Sequence, residues 1–111
     1  MNKQINMPAP IITWAERVKD TAGIYYTPYE GQTVYAITAG EKPSGGYQVV
    51  ITKQTPSFIY YRIAGPAPAD YVIQIITYPY QLLFSETPLR FICIDKGTEE
   101  LIEPRYVPLT L

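Results

Sequence analysis

Hydrophobic spacing divides the chain into a short helical stretch followed by a long run of strands. Residues 1–12 carry Pro8 and Pro10 and show no period, so they read as an extended arm. Thr13-Trp14-Ala15-Glu16 then has the form of a capping box, in which Thr13 accepts from the Glu16 amide and Glu16 returns to the Thr13 amide. Trp14 and Val18 lie one helical turn apart, and Gly23 suits the left-handed position just past a helix end. The spacing predicts one short helix from Trp14 to about Ala22.

Beyond Gly23 the period falls to two, and β-branched and aromatic residues become common, the signature of strands. Predicted strands cover 33–39, 47–53, 58–64, 71–78, 81–84 and 89–95, separated by turn signals rich in Pro, Gly and Ser. In the second of these, Tyr47, Val49 and Ile51 share the face expected to meet the core. In the third, Ile59, Tyr61 and Ile63 oppose Phe58, Tyr60 and Arg62, leaving both faces partly apolar. Val72-Ile73-Gln74-Ile75-Ile76 is the most continuously apolar segment and is predicted to be a central strand, with Gln74 needing a buried partner or an open face. Tyr25, Tyr26 and Tyr29 flank Pro28 in what reads as a linker.

Strands of this length and spacing predict a mainly β fold, a small antiparallel β-sandwich or partly open barrel with one short N-terminal helix. Residues 1–31 form the arm and helix, and 32–111 the β-domain with an extended C-terminal tail, the whole folding as one unit. At 111 residues there is room for one domain only.

Charge narrows the partners. Nine basic and ten acidic residues leave a net charge of −1, which offers no footprint for nucleic acid. The charged fraction of 17% falls below the roughly 25% usual in soluble domains, and eleven tyrosines take over as the groups with a polar tip. No apolar run approaches the roughly 18 residues that cross a bilayer, so no membrane insertion is expected. The N-terminus leads into no hydrophobic signal core, and the chain reads as soluble and unexported, with the compartment open.

The chain has no histidine, which removes the commonest general base and transition-metal ligand. Serine, cysteine and zinc hydrolases of the usual designs are thereby excluded, and no catalytic residue, metal or cofactor is expected. Cys93, the single cysteine, lies in Phe91-Ile92-Cys93-Ile94 and reads as a buried, inert thiol. Glu99, Glu100 and Glu103 read as a solvated face. A carboxylate enzyme acting on sugars would need paired acids across a cleft, and no spacing supports one.

What remains is a pair of loop motifs. In Gly40-Glu41-Lys42-Pro43-Ser44-Gly45-Gly46-Tyr47, Pro43 presets a turn dihedral, the glycines allow positive φ or close backbone approach, and Tyr47 opens a strand. Thr77-Tyr78-Pro79-Tyr80 follows about thirty residues later. An ordinary tight connection accounts for the glycine pair, since no lysine or helix follows as nucleotide cradles require. Alternatively, the two loops present a contact surface to another protein, through Lys42, Pro43, Ser44, Gly45, Gly46, Tyr47, Tyr78, Pro79 and Tyr80. That reading requires both loops to lie at the same end of the domain. Tyrosine suits interfaces as well as strands, and a homodimer through an edge strand is a further expectation.

These motifs, in this order, resemble the PrcB C-terminal domain family over about residues 34–95. The resemblance implies a small β-domain of bacterial proteins, often exported or lipid-anchored, whose named member helps a subtilisin-like protease to assemble or remain stable. It therefore points to a protein partner, such as a protease, and to an envelope or secreted setting. The helical segment around Trp14 and the tail after Asp95 lie outside the resemblance, and no lipobox cysteine is present. A weaker likeness is to chagasin-type peptidase inhibitors, whose first loop Pro43-Ser44-Gly45-Gly46-Tyr47 resembles and whose aromatic-proline loop Tyr78-Pro79-Tyr80 loosely echoes. Gly65-Pro66-Ala67-Pro68 lacks the glycine pattern of that family's third loop. The expected function is thus a non-enzymatic, protein-binding accessory domain, with an assembly subunit of a homo-oligomer or a chagasin-like inhibitor as alternatives.

Overall fold

The helix begins earlier than its capping box. In the computed structural model, which describes residues 7–69 and 71–110, α1 spans Ala9–Val18 behind Pro8, with a proline in its first turn and no side-chain cap. Proline fits there because a first-turn amide has no intrahelical partner to lose. Starting at Ala9 adds Ile11 to the buried stripe of Trp14, Ala15 and Val18, so an extra turn of apolar burial outweighs the box. Thr13 ends up exposed in mid-helix. The helix also ends at Val18, and Gly23 opens a strand rather than closing the helix. Residues 1–6 of the expected arm lie outside the described residues.

Among the described residues eight strands follow: β1 Gly23–Tyr29, β2 Gln32–Thr38, β3 Gln48–Gln54, β4 Phe58–Ala64, β5 Tyr80–Ser85, β6 Arg90–Asp95, β7 Thr98–Ile102 and β8 Arg105–Tyr106. They form two four-stranded sheets, ordered β5-β2-β1-β8 and β3-β4-β6-β7. The molecule is a small sandwich, with no closed barrel among the described residues. The expected linker at Tyr25, Tyr26 and Tyr29 is instead β1, paired along its length with β2 and turned by Glu30 and Gly31 at positive φ. That is the two-residue hairpin geometry whose twist matches the strands, and Lys96 and Gly97 repeat it between β6 and β7. Glu99 and Glu100 are exposed, as expected, but belong to β7.

The sheets are mixed rather than purely antiparallel, because β4 pairs β6, and β1 pairs β8, in parallel. Sheet switching is the cause. After β4 the chain crosses to the other sheet as β5 and returns as β6, which therefore runs in the direction of β4.

One core lies between the sheets, where Ile24, Tyr35, Ile37, Val49, Ile59, Tyr61 and Phe91 meet. A second lies on the outer face of the first sheet, where Tyr25, Val34 and Ala36 receive Ile11, Trp14 and Val18 of α1. Strand β2 is buried on both faces from Val34 to Thr38, so it is the central strand of the fold. The segment expected to fill that place, 71–78, forms no strand. The C-terminal tail closes the helical layer: Trp14 Nε1 donates to the Val107 carbonyl at 2.9 Å, and Arg17 Nη2 donates to those of Pro108 and Leu109 at 2.6 and 2.8 Å.

Candidate functional site

Topology brings the two loop motifs together. Residues 39–47 carry the chain from β2 to β3, and residues 65–79 carry it back from β4 to β5. Because Thr38 is opposite Tyr80, and Gln48 is opposite Ala64, both inter-sheet crossings must emerge at one end of the sandwich. Their backbones then zip together. Ala39 N donates to Pro79 O at 3.0 Å, Lys42 and Thr77 exchange bonds of 2.8 and 2.9 Å, and Gly45 N donates to Ile73 O at 2.8 Å. The Thr77 hydroxyl adds a 2.7 Å bond to the Ser44 carbonyl. The result is an irregular two-ply ribbon that prolongs the β2–β5 pair beyond the sheet.

The nine residues expected to form a contact surface divide into anchors and exposed positions. Ser44 is buried, and Lys42, Gly45, Tyr47, Tyr78, Pro79 and Tyr80 are half-buried, while Pro43 and Gly46 are exposed. The Tyr80 hydroxyl donates to Glu16 of α1 at 3.1 Å, and burial, with that carboxylate, pushes its phenol up. Lys19, which bonds Glu16 and holds its carboxyl below the ordinary value, lies over the Tyr78 ring at 5.5 Å. Lys42 covers the Tyr47 ring in the same way at 5.7 Å. The aromatic-proline step therefore fastens the ribbon to the helix.

Exposed surface lies instead on the partner ply. Tyr71, Ile73, Ile75 and Ile76 are 105, 69, 56 and 54% exposed, whereas an apolar strand-forming run of this kind was expected inside the sheet. No slot exists for it, since β2 already has β1 and β5 as neighbours and the segment overshoots the sheet's end. Gln74 meets the open face anticipated for it, with only a 3.4 Å contact from its side-chain Nε2 to Val72 O.

Gly46 sets how closely the plies approach. Its φ is +86°, and a Cβ there would stand 2.8 Å from Pro66 and 2.9 Å from Val72. Alanine at Gly46 should cost roughly 1–3 kcal/mol from backbone strain and crowding. Alanine at Gly31, which is also left-handed but has nothing within 4 Å, should cost less, and paired denaturant titrations check the order.

A groove of about 380 Å³ beside the ribbon is lined by Lys42, Tyr47, Cys93, Asp95 and Glu100 among others. Cys93 is half-buried rather than fully buried. Burial pushes its thiol up; the adjacent Tyr61 hydroxyl pulls the other way, while Asp95 and Glu100 add to the rise, so the site disfavours the reactive thiolate. Asp95 and Glu100 share the groove, yet both are exposed. The withdrawal from water that sets an acid apart from a base in a sugar-cleaving pair is absent at both. Among the described residues no cluster of ligands could hold a metal ion, and no helix is long and apolar enough to cross a membrane.

The span that builds this ribbon is also the span that carries the family signal. Residues 33–83 match the PrcB C-terminal family. The PrcB C-terminal match takes in β2, β3, β4, most of β5 and both crossings, so the two motifs that carried the resemblance lie inside it. It stops short of β6, where the resemblance had been expected to continue to Asp95. No curated protein and no solved structure matches the chain.

Proposed function

We propose that the chain is a non-enzymatic accessory domain that docks a partner protein on the ribbon face, and that the partner belongs to a protease complex. The observation that carries this reading is the exposed apolar ply at Tyr71, Ile73, Ile75 and Ile76. Each such side chain gains about 1.5–3 kcal/mol when fully covered, and large apolar side chains exposed together along one segment suit a contact site. Hydrogen bonds from Lys42, Ser44 and Gly45 hold that ply from behind, which lowers the ordering cost at binding. The PrcB C-terminal match supports the choice of partner class.

A chagasin-like wedge is less favoured, because Ser44 is buried and Tyr78 and Tyr80 are held against α1. Affinity capture from the native organism tests the docking reading. Wild type should recover a protease component that the Ile73→Asp/Ile75→Asp variant, folded by circular dichroism, does not. Recovery of the same proteins by both would refute it. Gly45→Asp is a milder second probe, since a Cβ at Gly45 meets Ile73 only at ordinary contact distance.

A further inference from the structure

The ribbon's outer edge is open as well as apolar. Ile73 and Thr77 direct backbone groups inward to the glycine-rich loop; between them the chain is no regular strand and bends at Ile75, a bend that pairing with another strand would straighten. Among the described residues, the backbone amides of Gln74 and Ile76 meet no partner. Unpaired edge groups beside β-branched side chains are a template for strand addition.

The composition of the edge indicates what would add to it. Asp70 is the only charged residue between Arg62 and Glu86, so the segment itself brings little charge against a second copy. The segment is also complementary to itself. If two copies run antiparallel about an axis at Gln74, Ile73 faces the other copy's Ile75, Val72 faces its Ile76, and Gln74 meets Gln74. Every opposing pair in that register is apolar except the central one, and two carboxamides can each donate and accept. Ile73, Ile75 and Ile76, at 69, 56 and 54% exposure, with Tyr71 beside the paired segment, present a few hundred Å² per copy, the size of a functional surface patch. Two copies would therefore form a small interface of the weak, reversible class.

We propose that, without its partner, this chain forms a two-fold dimer in which residues 72–76 of two copies pair antiparallel about Gln74. The dimer rests on the docking reading only in using the same face, so partner and second copy compete for it. Dimerisation then keeps an apolar segment from solvent until a better-fitting surface displaces the copy.

Sedimentation equilibrium on the full chain, from low micromolar to millimolar, should show a monomer–dimer equilibrium. Gln74→Lys, which sets two ammonium groups against each other on the axis, should weaken it by about tenfold or more. In a Cys93→Ser background, Gln74→Cys should crosslink rapidly on mild oxidation, because residues directly opposite in such a pair stand about 5.5 Å apart at Cα, within disulfide reach. Thr52→Cys, on exposed β3, is the control. A wild type that stays monomeric throughout, a dimer that survives Gln74→Lys, or crosslinking no faster at 74 than at 52 overturns the proposal. A monomeric wild type that still recovers its protease partner would sink the dimer and leave the docking reading standing. A dimer broken by Gln74→Lys, with no partner recovered, would do the reverse.

Discussion

Replacing Trp14 by alanine should lower the stability of the domain by about 3–5 kcal/mol, the cost of emptying a fully buried aromatic site, and its melting temperature by roughly 10–25 °C. Trp14 is 0% exposed and is where α1, the first sheet and the tail converge. Its indole also donates to Val107 O, and Val107 N in turn donates to Tyr26 O at 3.0 Å. Trp14→Phe separates the two contributions, since it keeps most of the ring area but leaves that carbonyl without its donor. A loss of about 1–3 kcal/mol is expected there. Thermal melts by far-UV circular dichroism give the magnitudes. Hydrogen exchange should show α1 and the Val107 amide losing protection together. A Trp14→Ala protein within about 1 kcal/mol of wild type would mean that the helix is a dispensable cover.

Phe91→Ala should cost a similar 3–5 kcal/mol by a different route. Phe91 is 0% exposed and stands between the sheets, its ring centroid 5.0 Å from that of Tyr35. The Tyr35 hydroxyl accepts from Leu89 N at 3.1 Å, so the ring pair ties β2 to the start of β6. Alanine would open a cavity flanked by Ile59, its parallel neighbour, and would loosen both sheets at once. Phe91→Leu, which conserves most of the volume, should lose less than about 1.5 kcal/mol. Chemical denaturation supplies both values. Near-equal losses for the two variants would show that the site collapses freely and that the inter-sheet core is not tightly fitted.

Strand β4 was legible to the residue, and β2, β3, β5 and β6 to within a residue or so at each end. In these stretches alternation, flanking turns and burial all agree. Where two signals competed, the sequence alone did not rank them. The Thr13 box announced a helix start and the prolines before it an extended arm, whereas a sheet face waiting for Ile11 draws the helix back to Ala9, where Pro10 fits the first turn. β1 was obscured by Pro28, which in fact lies exposed near the strand's end. The Glu30-Gly31 and Lys96-Gly97 dipeptides carried a hairpin signal that would have located β1 and β7. The run at 71–76 was read correctly as apolar and strand-forming but wrongly as interior. Periodicity reports a residue's preference for burial, not whether the sheet has a vacancy. Likewise the two motifs became neighbours through the order in which strands alternate between sheets, which spacing along the chain does not encode.

The clasp between the helix and the tail has a kinetic side. Trp14 and Val107 are 93 positions apart, and β8 reaches β1 from the far end of the chain. Such distant pairings must bear the loop-closure entropy before they return any energy, which slows folding. A nascent chain can therefore shape β2, β3 and β4 while α1 still lacks its mate, and during synthesis the helix emerges before these strands yet is secured after them.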